Sequence, residues 1–374
     1  MANTLRKSPL LFTPGPLTTS LDTKKSMLVD MGSWDDDFNK VTSLIRSKVI
    51  KVVNGNKSYT CVPLQGSGSF GIEAMIINFI NKKDKILILI NGSYGERIKK
   101  ICDYHKIKNI PFIWKESEEL DIKKLQKKLQ SDKSIKNLAF VHCETSTGII
   151  NPLNEVNNLC KKLKINLFID AMSTFGALTI DSKKIKFKAL VASSNKCIEG
   201  IPGISFCISR TNDLINSKGN SDNLCMDLYD QWKYMKETGR WRYTPPTHVV
   251  IAFLQALKEF EREGGLKKRY QKYKKNKDVL IKEMNNIGFK CLLEDRLQSP
   301  IIVTFISPKD KKFIFSKFYK FLKLNNFIIY PGKMTNIETF RIGCIGQIKP
   351  NDIKNLVKSI NIFIKKNKIQ ITKN

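Results

Sequence analysis

Five short apolar runs recur through the first half of the chain: Ile86–Ile90, Ile110–Trp114, Asn137–Val141, Ile165–Asp170 and Phe187–Val191. Apolar runs of this length, without polar alternation, suit strands buried on both faces. Between most of them lie stretches with apolar residues at helical spacing, as in Tyr94–Tyr104, Asp121–Leu129 and Asn154–Leu163. Alternating strands and helices predict an α/β fold with a mainly parallel sheet and right-handed crossovers. Such sheets bind ligands beyond the carboxyl ends of their strands, so the residues that follow each run carry the functional argument.

Two of these strand ends bear candidate groups. Ala192-Ser193-Ser194-Asn195-Lys196 follows the run ending at Val191. A lysine held in a partly dry crevice loses its proton more readily and becomes a nucleophilic amine able to form a Schiff base. Taken alone, Lys196 reads as one solvated lysine in a lysine-rich chain. The run Leu167-Phe168-Ile169 ends on Asp170, with small residues after it. Asp170 is a helix cap or turn residue on one reading. On the other it is the carboxylate that keeps a pyridinium nitrogen protonated, as pyridoxal phosphate requires beside its lysine.

A third segment, Gln65-Gly66-Ser67-Gly68-Ser69-Phe70-Gly71, precedes an apolar helix predicted at Ile72–Ile80. Glycines allow close backbone approach, Ser67 and Ser69 supply hydroxyls, and the free amides of the helix favour a phosphate. Neither the Walker pattern nor a dinucleotide fingerprint is present. By itself the segment is an ordinary tight loop. Together with Lys196 and Asp170 it is the phosphate cup that pyridoxal 5′-phosphate needs.

The chain resembles the class V aminotransferases of the pyridoxal-phosphate fold-type I superfamily. The resemblance rests on LLFTPGPLTTS (10–20), WDDDFN (34–39), LQGSGSFGIEA (64–74), NGSYGER (91–97), HCETSTGIINP (142–152), FIDAMSTFG (168–176), SSNKCIEGIPG (193–203), WRYTPPTH (241–248), YPGK (330–333) and FRIGCIG (340–346). Within the family it is most similar to the branch that moves an amino group from 2-aminoethylphosphonate to pyruvate. The alternatives are a serine- or alanine–glyoxylate aminotransferase and, less closely, a cysteine desulfurase. Desulfurases carry histidine before the Schiff-base lysine, where this chain has Asn195.

The resemblance implies a large domain, residues 1–264, with a mainly parallel seven-stranded sheet flanked by helices. A smaller C-terminal α+β domain would span 265–374. It implies that Lys196 and Asp170 are catalytic and that Ser67, Gly68 and Ser69 hold the phosphate. Tyr94 would stack on the cofactor ring and Thr145 would reach the ring oxygen. Thr244 would touch the phosphate of a partner subunit's cofactor, making the active unit a homodimer with an interface site. The segment Thr13-Pro14-Gly15-Pro16 would help to close the substrate pocket. Ile204–Ser209 would be an antiparallel strand.

In the second half, helices are predicted at Val249–Arg262, Leu266–Asn286, Phe313–Leu324 and Asn351–Lys366, with strands near Lys290–Leu293, Ile301–Ile306, Phe327–Tyr330 and Thr339–Gly343. Arg341 stands on an otherwise apolar strand, where burial demands an acidic partner or a ligand. Its planar fork suits a carboxylate or phosphonate, and the competing reading is a structural ion pair.

Composition narrows the remaining classes. The formal net charge of +31 would admit nucleic acid, but the lysines are scattered through every amphipathic segment, so no nucleic-acid partner is expected. Nine cysteines without a CxxC pair suit reduced thiols in a cytoplasmic protein. His105, His142 and His248 show no ligand spacing, so no metal is expected. No apolar run approaches a membrane span, and no signal core opens the chain.

Overall fold

The computed structural model describes residues 8–333 and 337–371. Seven strands form one sheet, in the spatial order Tyr59–Gln65, Ile204–Arg210, Ala189–Ser193, Asn166–Asp170, Ile135–Val141, Lys85–Ile90 and Lys108–Ile113. Ile204–Arg210 is antiparallel to both neighbours, and every other pairing is parallel. This is the α/β sheet that the apolar runs predict, with its antiparallel strand where the family resemblance puts it.

Six of the seven strands are buried on both faces because alternate residues of each enter different cores, while the edge strand Lys108–Ile113 is exposed or half-buried. Leu87, Leu89, Leu138 and Phe140 pack with Phe38, Ile45 and Val49 of helix Asp36–Val52. Ile86, Ile88, Ile90 and Val141 pack instead with Ile72, Met75 and Ile76 of helix Gly68–Phe79. In those six strands neither face is left for water, so they carry no polar alternation. Register then aligns the strand ends: Asp170 pairs with Val141 on one side and Val191 on the other. The loops after these strands therefore open at one level.

A smaller antiparallel sheet holds Ile302–Ile306, Thr339–Gly343 and Tyr330–Pro331. Its core gathers Leu280, Phe318, Phe340, Leu356 and Phe363. Helix Gly265–Asn286 leads into it. Leu10–Leu11 returns to this region, pairing in parallel with Phe327–Ile328.

Three expectations differ in detail. Lys290–Leu293 forms a single bridge, Cys291 to Phe305, because the turn Glu294–Gln298 draws the chain away. Phe327–Tyr330 is divided, since Phe327–Ile328 and Tyr330–Pro331 join different sheets. The helix expected from Ile72 begins at Gly68, inside the glycine–serine loop, with Ser67 as its N-cap residue.

Candidate active site

A cavity of about 180 Å³ opens beyond the strand ends, and Ser67, Gly68, Ser69, Tyr94, Thr145, Asp170 and Lys196 all line it. The phosphate-cup loop is positioned by its own glycine. Gly66 adopts φ +123°, and its N–H donates to Gly203 O at 2.8 Å, tying the loop to the end of the Lys196 segment. Arg97, which the motif analysis did not single out, also lines the cavity and donates from Nη1 to Ser69 Oγ at 2.9 Å. Hydroxyls, a guanidinium and a helix N-terminus thus converge there.

Asp170 is buried, and among the described residues its carboxylate accepts one hydrogen bond, from Met172 N at 2.9 Å. No salt bridge among the described residues includes it. Burial pushes its carboxyl up to about 6. Lys196 Nζ lies 3.4 Å from Gly15 O. Burial lowers the pKa of its ammonium, Tyr94 and Asp170 oppose the shift, and Lys333 adds to it. The site therefore holds one carboxyl made less acidic and one amine made less basic.

Tyr94 opens helix Ser93–Tyr104, and its N–H donates to Glu144 Oε2 at 3.0 Å. Glu144 also accepts from Ser146 N at 3.1 Å and Ser146 Oγ at 2.5 Å, and burial raises its carboxyl. Two cations flank the Tyr94 ring, Arg97 Cζ at 5.0 Å and Lys333 Nζ at 5.1 Å from its centroid. Burial would raise the Tyr94 phenol, but Lys196, Thr145 and Lys333 together bring it below its ordinary value. His142 is pushed down to about 4 by burial and faces Thr174 Oγ1 at 3.0 Å, so it stands neutral.

Arg341 is 2 % exposed. Its bonds go to backbone carbonyls: Nε to Pro331 O at 2.9 Å and Nη1 to Thr145 O at 2.7 Å. Among the described residues it enters no salt bridge, so the structural ion pair considered from sequence is not what holds it. Burial lowers its pKa, with Tyr94, Glu144 and Tyr330 opposing. Thr244 is exposed and does not line this cavity in its own chain. Among the described residues no cluster of three or more His, Cys, Asp or Glu is suited to a metal.

Glu144 and Arg97 were not singled out from the sequence, whereas Gly15 lies in the segment expected to close the pocket. Arg97 had a usable signal, since it sits three residues after Tyr94 on one helix face.

The model of the aminotransferase class-V family matches residues 24–329. A Pseudomonas aeruginosa protein named 2-aminoethylphosphonate–pyruvate transaminase is 46% identical over 364 residues, 96% of either chain. One of the same name from Pseudomonas fluorescens is 46% identical over 354 residues, covering 95% of this chain and 96% of that protein. Among solved structures, ureidoglycine–glyoxylate aminotransferase from Bacillus subtilis superposes with a TM-score of 0.87 at 18% identity, over 100% of this chain and 97% of that one. Pyridoxamine–pyruvate aminotransferase from Mesorhizobium loti gives 0.88 at 17% identity, over 97% and 94%. At such identities the structures establish the fold alone, while the family model and the close relatives decide membership. The chain belongs to the class V aminotransferase family.

Proposed function

We propose that this chain is a pyridoxal-phosphate-dependent aminotransferase that moves the amino group of 2-aminoethylphosphonate to pyruvate, giving phosphonoacetaldehyde and L-alanine. The observation that carries the reading is the convergence of Lys196, Asp170 and the Ser67–Ser69 loop on one cavity. The names of relatives at 46% identity support the substrate pair.

The donor set fits the cofactor. Ser67, Ser69, the amides of helix Gly68–Phe79 and Arg97 match a phosphate. The buried Asp170, in no salt bridge among the described residues, matches a protonated ring nitrogen, Tyr94 offers a stacking face, and Thr145 also lines the cavity. When bound, the cofactor supplies an electron sink and carries the amino group between the two substrates. Lys196 anchors it, and once free its Nζ moves the proton at the substrate carbon, work typically worth about 10²–10⁴-fold. Arg341 pairs with the phosphonate of the donor and with the carboxylate of pyruvate. Burial of these groups excludes water from the charges they stabilise.

The active unit in this reading is a homodimer, with Thr244 reaching the partner subunit's cofactor phosphate, and its exposure in the protomer accords with that role. The chain divides into a large unit, 1–264, and a small unit, 265–374, with Leu10–Leu11 returning to the small one. A cytoplasmic location accords with nine unpaired cysteines. No described helix is long and apolar enough to cross a membrane.

The test is kcat/KM measured side by side for 2-aminoethylphosphonate, glutamate, serine and alanine as donors, with pyruvate, 2-oxoglutarate and glyoxylate as acceptors. The phosphonate with pyruvate should exceed glutamate with 2-oxoglutarate by about a hundredfold or more, because the second carboxylate of an acidic amino acid needs its own partner. Serine or alanine with glyoxylate outrunning it would overturn the substrate pair and leave the family standing.

A further inference from the structure

Beneath the Lys196 turn lies a buried charge cluster that the proposed reaction does not use. Glu199 is 3% exposed and Arg269 1% exposed. Glu199 Oε1 accepts from the Tyr273 hydroxyl at 2.6 Å and from Lys272 Nζ at 2.9 Å, while Oε2 accepts from Gln347 Nε2 at 2.7 Å. Arg269 donates from Nε to Glu263 Oε2 at 2.7 Å and from Nη1 to Cys197 O at 2.5 Å. Two carboxylates balance two cations. Burial would raise the Glu199 carboxyl, but Arg269 and Lys272 outweigh it and hold it below its ordinary value.

A cluster that served stability alone would not need the backbone found here. Glu199 adopts φ +64°, a left-handed conformation that costs a non-glycine residue about 1–2 kcal/mol. That conformation closes the turn carrying the lysine, since Glu199 N donates to Lys196 O at 2.8 Å. Arg269 grips the next carbonyl, that of Cys197. The turn is thus held by its backbone from the side of helix Gly265–Asn286.

Gln347 extends the connection. Its side chain reaches Glu199, and its backbone N–H donates to Thr18 O at 2.8 Å. The same N-terminal segment contains Gly15, whose carbonyl faces Lys196 Nζ at 3.4 Å. Gln347 also follows, by four residues, the strand that ends at Gly343 and carries Arg341. A closed circuit results, from Lys196 through Gly15, Thr18, Gln347 and Glu199 back to the Lys196 turn.

We infer that Glu199 is a positioning residue for Lys196, and that its hydrogen bond to Gln347 fixes the lysine turn relative to the Thr13–Thr18 segment and the strand bearing Arg341. The inference rests on the reading of Lys196 as the residue that anchors the cofactor. Gln347 is exposed, so water can satisfy Glu199 Oε2 when its amide is removed. The fold then survives while the tie is lost. In Glu199→Gln the reverse holds: Gln347 can turn its amide and keep the bridge, while Arg269 and Lys272 lose a counter-charge.

The experiment compares wild type, Gln347→Leu, Glu199→Gln and Glu199→Ala as cofactor-loaded proteins. The readouts are Tm, kcat, KM and the pH titration of the bound cofactor's absorbance. The groups that face Lys196, namely Tyr94, Asp170, Cys197 and Lys333, are the same in every variant, and those that face Glu199 are Arg269, Lys272 and Tyr273. Gln347→Leu should keep its Tm and KM, lose about tenfold or more in kcat, and shift the titration midpoint by roughly half a unit. Glu199→Gln should lose Tm but stay within about threefold of wild type in kcat. Glu199→Ala should lose both. Wild-type kcat and titration in Gln347→Leu at full cofactor occupancy would overturn the inference, as would equal kcat losses in Glu199→Gln and Glu199→Ala. If Lys196→Ala shows the wild-type absorbance and titration, the reading of Lys196 itself fails, and the positioning role falls with it.

Discussion

The ammonium of Lys196 lies 3.4 Å from the carbonyl oxygen of Gly15, so the N-terminal segment closes directly on the residue proposed to hold the cofactor. Only glycine permits this approach. Gly15 has φ +116°, and an added Cβ would lie 2.6 Å from Lys196 Cδ and 2.7 Å from Asn195 O. Neither neighbour can yield without moving the lysine.

Gly15→Ala is therefore expected to displace the lysine rather than merely strain a loop. Turnover should fall roughly a hundredfold, as for a reacting group misplaced by an ångström. The backbone conformation adds a stability cost of about 1–3 kcal/mol. Measuring kcat alongside thermal unfolding separates the two effects. A variant that is less stable yet fully active would show that the segment does not set the lysine.

Asp170 gives a prediction whose sign depends on pH. Its carboxyl is raised by burial from 3.8 to about 6. Between those values the folded chain keeps a proton that the unfolded chain has released, so stability falls as pH rises through the window. Above it, the buried charge costs up to about 3 kcal/mol. Asparagine carries no such charge, and its Oδ1 can still accept from Met172 N. Cofactor-free Asp170→Asn should match wild type near pH 4 and exceed it in Tm by several degrees at about pH 8. Loaded with cofactor, the same variant should lose about a hundredfold or more in single-turnover rate. Equal Tm values at the higher pH would mean that the carboxylate is not an uncompensated charge.

The same two residues show what a linear sequence reveals. Asp170 and Lys196 each follow an apolar run, and a strand buried on both faces can only be such a run, so strand, loop and candidate group are read together. The cup was legible for a similar reason, although its helix starts at Gly68, within the glycines that seemed to belong to the loop. Gly15 meeting Lys196 was not legible, because only the folding of the chain back on itself sets that distance. The Glu199–Gln347 bond, 148 residues apart, is hidden in the same way. Phe327–Tyr330 reads as one strand because pattern reports burial, whereas assignment to a sheet depends on which edges are free. Thr145 and Thr244 carried no signal of their own and entered only through the family resemblance.

Subunit sharing of the site is testable by complementation. Thr244 is exposed in the protomer, so Thr244→Arg should fold normally while blocking a partner's phosphate site. Lys196→Ala should fold normally while lacking the anchor. Each homodimer should be inactive. After subunit exchange of equal amounts, half of the dimers are mixed and each carries one site with both residues intact, so about a quarter of wild-type activity should return. No recovery after exchange, demonstrated with labelled subunits, would place Thr244 outside the site.

In the proposed function Arg341 is the residue that selects the substrate. A guanidinium has five donors, and among the described residues its bonds reach only the carbonyls of Pro331 and Thr145. Neither bond neutralises its charge, and burial already lowers its pKa. A buried cation held by carbonyls would be stabilised by an anion arriving with the substrate, as the proposed function requires. Phosphonate and carboxylate both match its fork, which lets one residue serve the donor and the acceptor in turn. Arg341→Lys keeps the charge but offers a point in place of the fork, and it abandons the two carbonyls. The loss of a charge-assisted bond is worth about 1.5–3 kcal/mol, so kcat/KM should fall roughly ten- to a hundredfold for 2-aminoethylphosphonate and for pyruvate alike. A neutral amine of the same length, lacking the phosphonate, should be a poor donor for wild type and no poorer for the variant. The measurement is kcat/KM for all three compounds with both proteins. A loss confined to pyruvate would move phosphonate recognition to another cation and leave Arg341 with the carboxylate alone.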